Sequence, residues 1–461
     1  MSDLANGLKS PLLSHPKLSA HFLRTKNFFH VSAIFVFAIL CVLTFIYSNQ
    51  SVRNSTTQTL KFIPSAYERP LSQRAKIENG NASHIFVNSR NINSNVRNNQ
   101  YEGEEEDYPT KKDYRQEIKK VLQETREDIQ EELSGYHYPP GISAEKLIPE
   151  KGGKPLQSVI ITTWRSGSTF LGDVLQSVPA TMYHYEPLLD FDILQIRGAP
   201  IAGVALKRLK KLLTCNYTGL EEDYLSYGQD HTWLLEHNFR LWNKCTMRPY
   251  LCWEPQFLSP FCKLFPFQIM KVVRVRLSLV EELLEDNNLN VRILLMVRDP
   301  RGTMQSRRHR EWCPGHPDCW DPLRLCADLI ADYSAALRLS AKYPKRFKAI
   351  RYEDLSLEPY KRVEELFNFF GLYLHPKVVE FLDTHTKNNI GGVSSTYRDS
   401  KSAPFHWRTD LDHSQVKSIQ KVCKPAMHLW GYVLAHNQTS TCVQSYFALF
   451  PTCVRRVFLF Q

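Results

Sequence analysis

The chain lacks a GxxxxGK[ST] stretch, so a nucleoside-triphosphatase phosphate loop of the Walker kind is excluded. It also lacks any RNA- or DNA-reading motif, which leaves the formal net charge of +11 to be explained by other acidic partners: an anionic cofactor, an anionic glycan or a membrane surface. Large apolar residues are thin between Ser48 and Tyr108, a polar, Asn-rich stretch that cannot build a core and reads as a flexible stem. Cys313-Pro-Gly-His316-Pro-Asp-Cys319, with Cys326 beyond, carries zinc-ligand types but matches no common zinc spacing, and no metal is expected.

Formal charge is absent from Phe28 to Tyr47, about the twenty residues a helix needs to cross a bilayer. Lys9, Lys17, Arg24 and Lys26 precede it, so residues 1–27 read as a cytosolic tail, 28–47 as a signal anchor and the rest as luminal. Of eleven cysteines, Cys41 lies in the span and ten follow, an even number that suits disulfides in an oxidising lumen. Asn54, Asn81, Asn216 and Asn437 each open an N-x-[ST] sequon. Within the 48–154 stem region, Ile118, Val121, Leu122, Ile129 and Leu133 recur at helical spacing, predicting an amphipathic helix near 111–134. That stripe either packs on the helix's own domain or makes a coiled-coil contact with a second copy, giving a homodimer through the stem.

What the chain does have is Ser158-Val-Ile-Ile-Thr-Thr-Trp-Arg-Ser-Gly-Ser-Thr-Phe-Leu171, an apolar β-branched run, a polar turn and an amphipathic segment. It predicts strand, tight loop and helix, and the free N–H groups at the helix start make a cradle for phosphate or sulfate. Arg165 adds positive charge there, and Ser166, Ser168 and Thr169 add hydroxyls. A second apolar run, Val291 to Val297, ends in Arg298-Asp-Pro-Arg-Gly, with Ser306 eight positions after Arg298, where the next helix is expected to begin. Between them, Ala180-Thr-Met-Tyr-His-Tyr-Glu-Pro187 predicts a strand neighbouring the first, with Glu186 at or just past its end. Glu186 is the candidate general base, and His184, two positions earlier on the same face, competes with it.

These motifs in this order resemble the Golgi carbohydrate 6-O-sulfotransferases acting on galactose, N-acetylglucosamine or N-acetylgalactosamine, over roughly Leu156 to Val443. The resemblance implies a three-layer α/β domain, residues 155–461, with a parallel central sheet and a P-loop-like phosphosulfate loop. It implies that 3′-phosphoadenosine 5′-phosphosulfate binds with its phosphosulfate on Arg165, Ser166, Gly167, Ser168, Thr169 and Phe170, and with its 3′-phosphate on Arg298 and Ser306. Tyr352, in a Tyr-Glu-Asp-Leu segment after a third predicted strand, would line the nucleotide pocket, and Lys401 would close a late loop over the 3′-phosphate. Sulfuryl transfer depends on positioning and charge stabilisation, so Arg165 and Glu186 are the expected catalytic pair. Three groups keep open readings: Lys207, Arg208, Lys210 and Lys211 as glycan contacts or a solvated face, Arg307 to Arg310 as a basic rim or solvated, and Glu353 and Asp354 as sheet braces or a helix cap. Phe447 to Gln461 is expected to pack on the domain, being too short to span a membrane. The implied acceptor is a glycan; protein tyrosine, or glycan binding without catalysis, are the rivals.

Overall fold

The structure is a computed structural model that describes residues 111–392 and 395–436. In chain order it forms α1 (Lys111–Glu132), β1 (Leu156–Ile161), α2 (Ser168–Gln176), β2 (Thr181–Tyr185), α3 (Ile201–Leu213), α4 (Pro255–Cys262), β3 (Phe267–Val272) and β4 (Val291–Val297). Then come α5 (Pro300–Arg308), α6 (Pro322–Lys342), β5 (Phe347–Arg351), α7 (Tyr352–Leu357), α8 (Pro359–Phe370), α9 (Pro376–His385) and α10 (His413–Leu429), with shorter helical turns between.

The strands pair in parallel in the order β2-β3-β1-β4-β5. Val159 at the centre of β1 stands between Met270 and Ile293. A parallel sheet covered on both faces needs apolar residues on both, and strand alternation supplies them. Val159 and Ile161, Met270 and Val272, and Ile293 and Leu295 enter one core with α3, α6 and α10. Ile160, Ile269, Leu294 and Met296 enter the other with α2, α8 and α9. The result is three layers.

Asp-Pro pairs start two of the key helices. Asp299 accepts the Arg301 N–H at 2.8 Å and Asp321 the Leu323 N–H at 2.8 Å, with Pro300 and Pro322 in the first turn, where a missing N–H costs nothing. β5 ends at Arg351, and Tyr352 begins α7 directly.

β2 is not β1's neighbour, as the sequence led us to expect. β3 pairs with both and separates them, placing β2 at the edge. The chain therefore leaves β1 to build one side of the sheet, then crosses to β4 on the other. That crossing opens a crevice at the C-terminal end of β1, the position where open α/β sheets bind ligands.

α1 packs on its own domain. Ile118, Val121, Leu122 and Ile129 are buried in the α3 core, and ion pairs run from Glu117 to Arg248, Asp128 to Lys244 and Glu132 to Arg240. The stripe offered for pairing with a second copy is thus occupied, so it does not supply a coiled-coil homodimer contact. Disulfides join Cys215 to Cys262, Cys245 to Cys252, Cys313 to Cys319 and Cys326 to Cys423, which removes the zinc reading of the Cys313 segment. Among the described residues, no helix is long and apolar enough to cross a membrane, and no cluster of His, Cys, Asp and Glu could hold a metal. The 28–47 anchor, the polar stem, three of the sequons and the Phe447–Gln461 tail lie outside the described residues. The fourth sequon residue, Asn216, is exposed in the turn after α3.

If α1 is part of the folded unit, Ile129→Ala will lower its unfolding free energy by about 2–4 kcal/mol, the usual range for a large-to-small core change. Urea denaturation measures it; an unchanged midpoint would mean that the contact contributes nothing.

Candidate anion-binding and transfer site

Adjacent strand ends bring two loops together. Thr162 at the end of β1 donates its hydroxyl to the Met296 carbonyl of β4 at 2.6 Å, fixing the two exits side by side. The loop after β1 then turns through left-handed backbone at Arg165 (φ 66°) and Gly167 (φ 89°) before Ser168 opens α2. Arg165 bears a side chain in a conformation that such residues rarely adopt, a strain the surrounding bonds must hold. Gly167 has a second reason to be glycine: a Cβ there would overlap the Tyr352 ring.

Arg298, at the exit of β4, donates to the Arg165 carbonyl at 2.9 Å and lies 4.5 Å over the Tyr352 ring. Arg165 Nε in turn donates to Ser306 Oγ at 3.0 Å. The two predicted anion loops are therefore bonded to each other, and Tyr352 floors both. Ser306 does not begin the helix as expected; α5 starts at Pro300, and Ser306 reaches the cavity from well inside it. Ser166 Oγ and Arg298 Nε are buried without hydrogen-bond partners among the described residues. Phe170 also lines the cavity and packs against Phe381 at 6.1 Å.

Arg307 is a brace rather than a rim residue. Fully buried, it donates to the Trp164 carbonyl at 3.3 Å, Thr163 Oγ1 at 2.8 Å and the Cys319 carbonyl at 2.7 Å. His309 and Arg310 line the cavity, while Arg308 faces solvent. Glu353 likewise braces: it accepts the Asp299 N–H at 3.0 Å and the Tyr432 hydroxyl at 2.8 Å beneath the start of α5. Asp354 pairs with Arg351 at 2.8 Å. In the basic cluster of α3, Arg208 is buried in ion pairs with Asp190 and Asp223, and Lys210 pairs with Glu282 at 2.7 Å, so these two do not present free charge to a glycan.

Glu186 follows β2 at φ 39°, a turn that breaks strand alternation and aims its carboxylate into the cavity. His184 instead lies fully buried beside Met182, Leu241 and Trp253, away from the cavity, and burial lowers its pKa to about 4. His184 is thus excluded as the competing base. The Glu186 oxygens meet Lys271 Nζ at 2.8 Å and Arg274 Nη1 at 3.0 Å. Burial opposes its ionisation, but the two cations win and hold the carboxyl at about 2. Lys271 also donates to Thr169 Oγ1 at 3.1 Å, linking the carboxylate to the loop after β1. The pairing ties the Glu186 turn to β3, which carries Lys271, and to Arg274 two residues past its end.

Lys401 is exposed and outside the cavity lining; Arg398 and Ser400 of the same loop line it instead. The cavity, about 910 Å³, carries Arg165, Lys271, Arg274, Arg298, Arg310 and Arg398 against Glu186, Asp192 and Asp410. Burial, followed by repulsion from Arg310 and Arg298, pushes the Arg165 pKa down to about 10, which still leaves it cationic at neutral pH. Cations crowded together in a concave site favour anionic ligands.

This arrangement belongs to a known class. The family model described as "Sulfotransferase domain" matches residues 155–431, and the chain belongs to that family. Carbohydrate sulfotransferases are among its relatives. It is 28% identical to mouse carbohydrate sulfotransferase 3 over 348 residues, covering 64% of this chain and 72% of that protein. It is 25% identical to mouse carbohydrate sulfotransferase 5 over 62% of this chain and 83% of the relative, and 26% identical to zebrafish (Danio rerio) carbohydrate sulfotransferase 1 over 59% and 77%. A solved sulfotransferase domain from the Synechococcus PCC 7002 olefin synthase aligns at 17% identity over 61% of this chain and 97% of that one, with a TM-score of 0.34.

Burial, then the charge of Asp299, raises the Glu353 pKa from 4.5 to about 7. The folded state holds that proton more tightly than the unfolded chain, so the stability it provides is full below about pH 4.5 and is lost as pH rises through about 7. Glu353→Gln should remove that loss, on the order of 3 kcal/mol. Thermal melts from pH 5 to 8 should show a flatter decline for the variant; parallel curves would refute the buried-proton account.

Proposed function

We propose that the protein transfers sulfate from 3′-phosphoadenosine 5′-phosphosulfate to the 6-hydroxyl of a galactose, N-acetylglucosamine or N-acetylgalactosamine unit of a glycan. The observation that carries the proposal is the bonding of the two anion loops, Arg165 to Ser306 and Arg298 to the Arg165 carbonyl, in one cavity that also holds Glu186. A molecule bearing two separated phosphate-type groups suits two such loops better than a single anion does. At about 910 Å³ the cavity is at the upper end of ordinary ligand sites, room for a nucleotide and a sugar unit.

The residues fit the donor. Ser166 Oγ and Arg298 Nε, buried and without hydrogen-bond partners among the described residues, are positioned to serve its oxygens, and the Gly167 to Thr169 loop offers amides at the start of α2. Ser306 and Arg298 would hold the 3′-phosphate and Tyr352 would line the nucleotide, with Arg398 in the place first given to Lys401. The donor supplies an activated sulfuryl group on a phosphate leaving group. Arg165 contributes charge stabilisation there, since it stays protonated at neutral pH.

Glu186 takes the acceptor's hydroxyl proton. Being ionised at any physiological pH, it is ready to accept, but with both oxygens held by cations it is a weak base. Each oxygen keeps a second lone-pair site beside its one cation contact, so an acceptor hydroxyl can bond Glu186 directly, and any lengthening of a cation contact raises the carboxylate's basicity.

We also propose that the enzyme is a single-pass type II protein of the Golgi membrane with a luminal catalytic domain, anchored through residues 28–47. Four disulfides among the described residues support an oxidising compartment.

The test is sulfate transfer from labelled donor to a panel of glycans. Wild-type protein should sulfate one glycan class at a 6-hydroxyl, Glu186→Gln should lower kcat by about a hundredfold or more, and Arg298→Ala should raise the donor KM. Transfer to tyrosine peptides but no glycan would overturn the acceptor assignment. Donor binding without transfer to either would overturn the catalytic one.

A further inference from the structure

Two indoles stand in water at the cavity while the chemistry beside them is buried. Trp312 is 39% exposed and Trp233 41%, and both line the cavity. Leaving large, rigid apolar faces uncovered in this way marks a surface that gains by being covered. Their placement follows the reaction site. Trp312 meets Trp164 edge-on at 6.5 Å, and Trp164 immediately precedes Arg165. Trp233 meets Tyr185 edge-on at 6.3 Å, and Tyr185 immediately precedes Glu186. One indole is thus tied to the charge-stabilising loop and the other to the turn that carries the carboxylate.

Trp312 is also held in place. Its neighbour Cys313 is bonded to Cys319, and both are fully buried against Trp164 and Val273. Arg307 clamps the same loop to the β1 exit, through the Cys319 carbonyl on one side and Thr163 and the Trp164 carbonyl on the other. A wall this constrained loses little freedom when something packs on it, which favours affinity.

We infer that Trp312 and Trp233 are the acceptor-binding walls, on which pyranose rings of the glycan stack their C–H faces while a hydroxyl points toward Glu186. The inference rests on the sulfotransferase reading above and deepens it by assigning specificity residues. A pyranose is apolar on its ring faces and polar around its edge. The cavity matches that pattern, since Asp192, Tyr227 and Arg274 line it along with the indoles. A phenol offers one hydroxyl and would leave most of those groups without a partner, which a polar site penalises.

Steady-state kinetics with a glycan acceptor at saturating donor tests this in Trp312→Ala, Trp233→Ala and the corresponding Phe variants. The Ala variants should raise the acceptor KM about tenfold or more, with kcat within about threefold and the donor KM unchanged; the Phe variants should recover most of the loss. In the wild type, acceptor should quench indole fluorescence, and Trp312→Phe should weaken that quenching, a readout that survives if an Ala variant fails to fold. An unchanged acceptor KM overturns the assignment, as does a donor KM that rises in step with it, which would mark a merely structural role. A KM effect seen with tyrosine peptides and not with glycans overturns the pyranose choice. A wild-type enzyme that sulfates no glycan at all sinks the proposed function instead, so the two failures are distinct.

Discussion

The parallel pairing of β1 with β4, carried past the strand ends by Thr162 Oγ1 donating to the Met296 carbonyl at 2.6 Å, is the constraint on which the site depends. Two parallel strands side by side must release their chains at the same edge, and each is followed by a helix whose first N–H groups point back to that edge. Arg298 and Arg165 then cross-link the exits, and Ser306 receives Arg165 from the second helix. Had β4 been placed one strand further away, the same residues would have formed two unrelated loops. The sheet order, more than any side chain, makes them one site.

Holding that arrangement costs free energy, and the structure shows where the cost is met. Arg165 occupies left-handed backbone and lies near Arg298 and Arg310 with little water, so its charge is destabilised, though not enough to lose its proton at neutral pH. Arg307, itself buried and lowered to about 9, accepts the same penalty in order to fasten the loop to the Cys313–Cys319 segment. Strain and like-charge crowding of this kind persist only where packing over-determines the geometry, and a bound anion would offset the crowding of charge. Glu186 shows the opposite balance. Its burial would favour the neutral acid, but Lys271 and Arg274 outweigh burial and keep it ionised.

Much of this was legible in the sequence because local patterns carried it. The apolar run before Arg165, Gly167 at the turn and the amphipathic segment after it specify strand, loop and helix without reference to the rest of the chain. Arg298, Ser306 and Tyr352 were reached through motif resemblance, and the structure brings all three to the same cavity. What remained hidden was tertiary. Nothing local says that β3 inserts between β1 and β2, and strand alternation could not separate Glu186 from His184, because the positive φ at Glu186 ends the alternation there. Arg307 read as basic rim or solvated run alike; only its burial against Trp164 and Cys319 distinguishes it from Arg308. Lys401 and Arg398 sit three positions apart in a loop without periodicity, so which one faces the cavity depended on how that loop packs. Disulfide connectivity is likewise a matter of spatial neighbours, not spacing.

The paired loops should recognise two separated phosphate-type groups on one nucleotide. Calorimetric titration of the protein with adenosine 3′,5′-bisphosphate and with adenosine 5′-monophosphate tests it most directly, since the ligands differ only at the position assigned to Arg298 and Ser306. The bisphosphate should bind tighter by at least about tenfold, because a charge-assisted contact in a buried site is worth more than about 1.4 kcal/mol. Equal affinities would contradict it, leaving the second loop without its ligand.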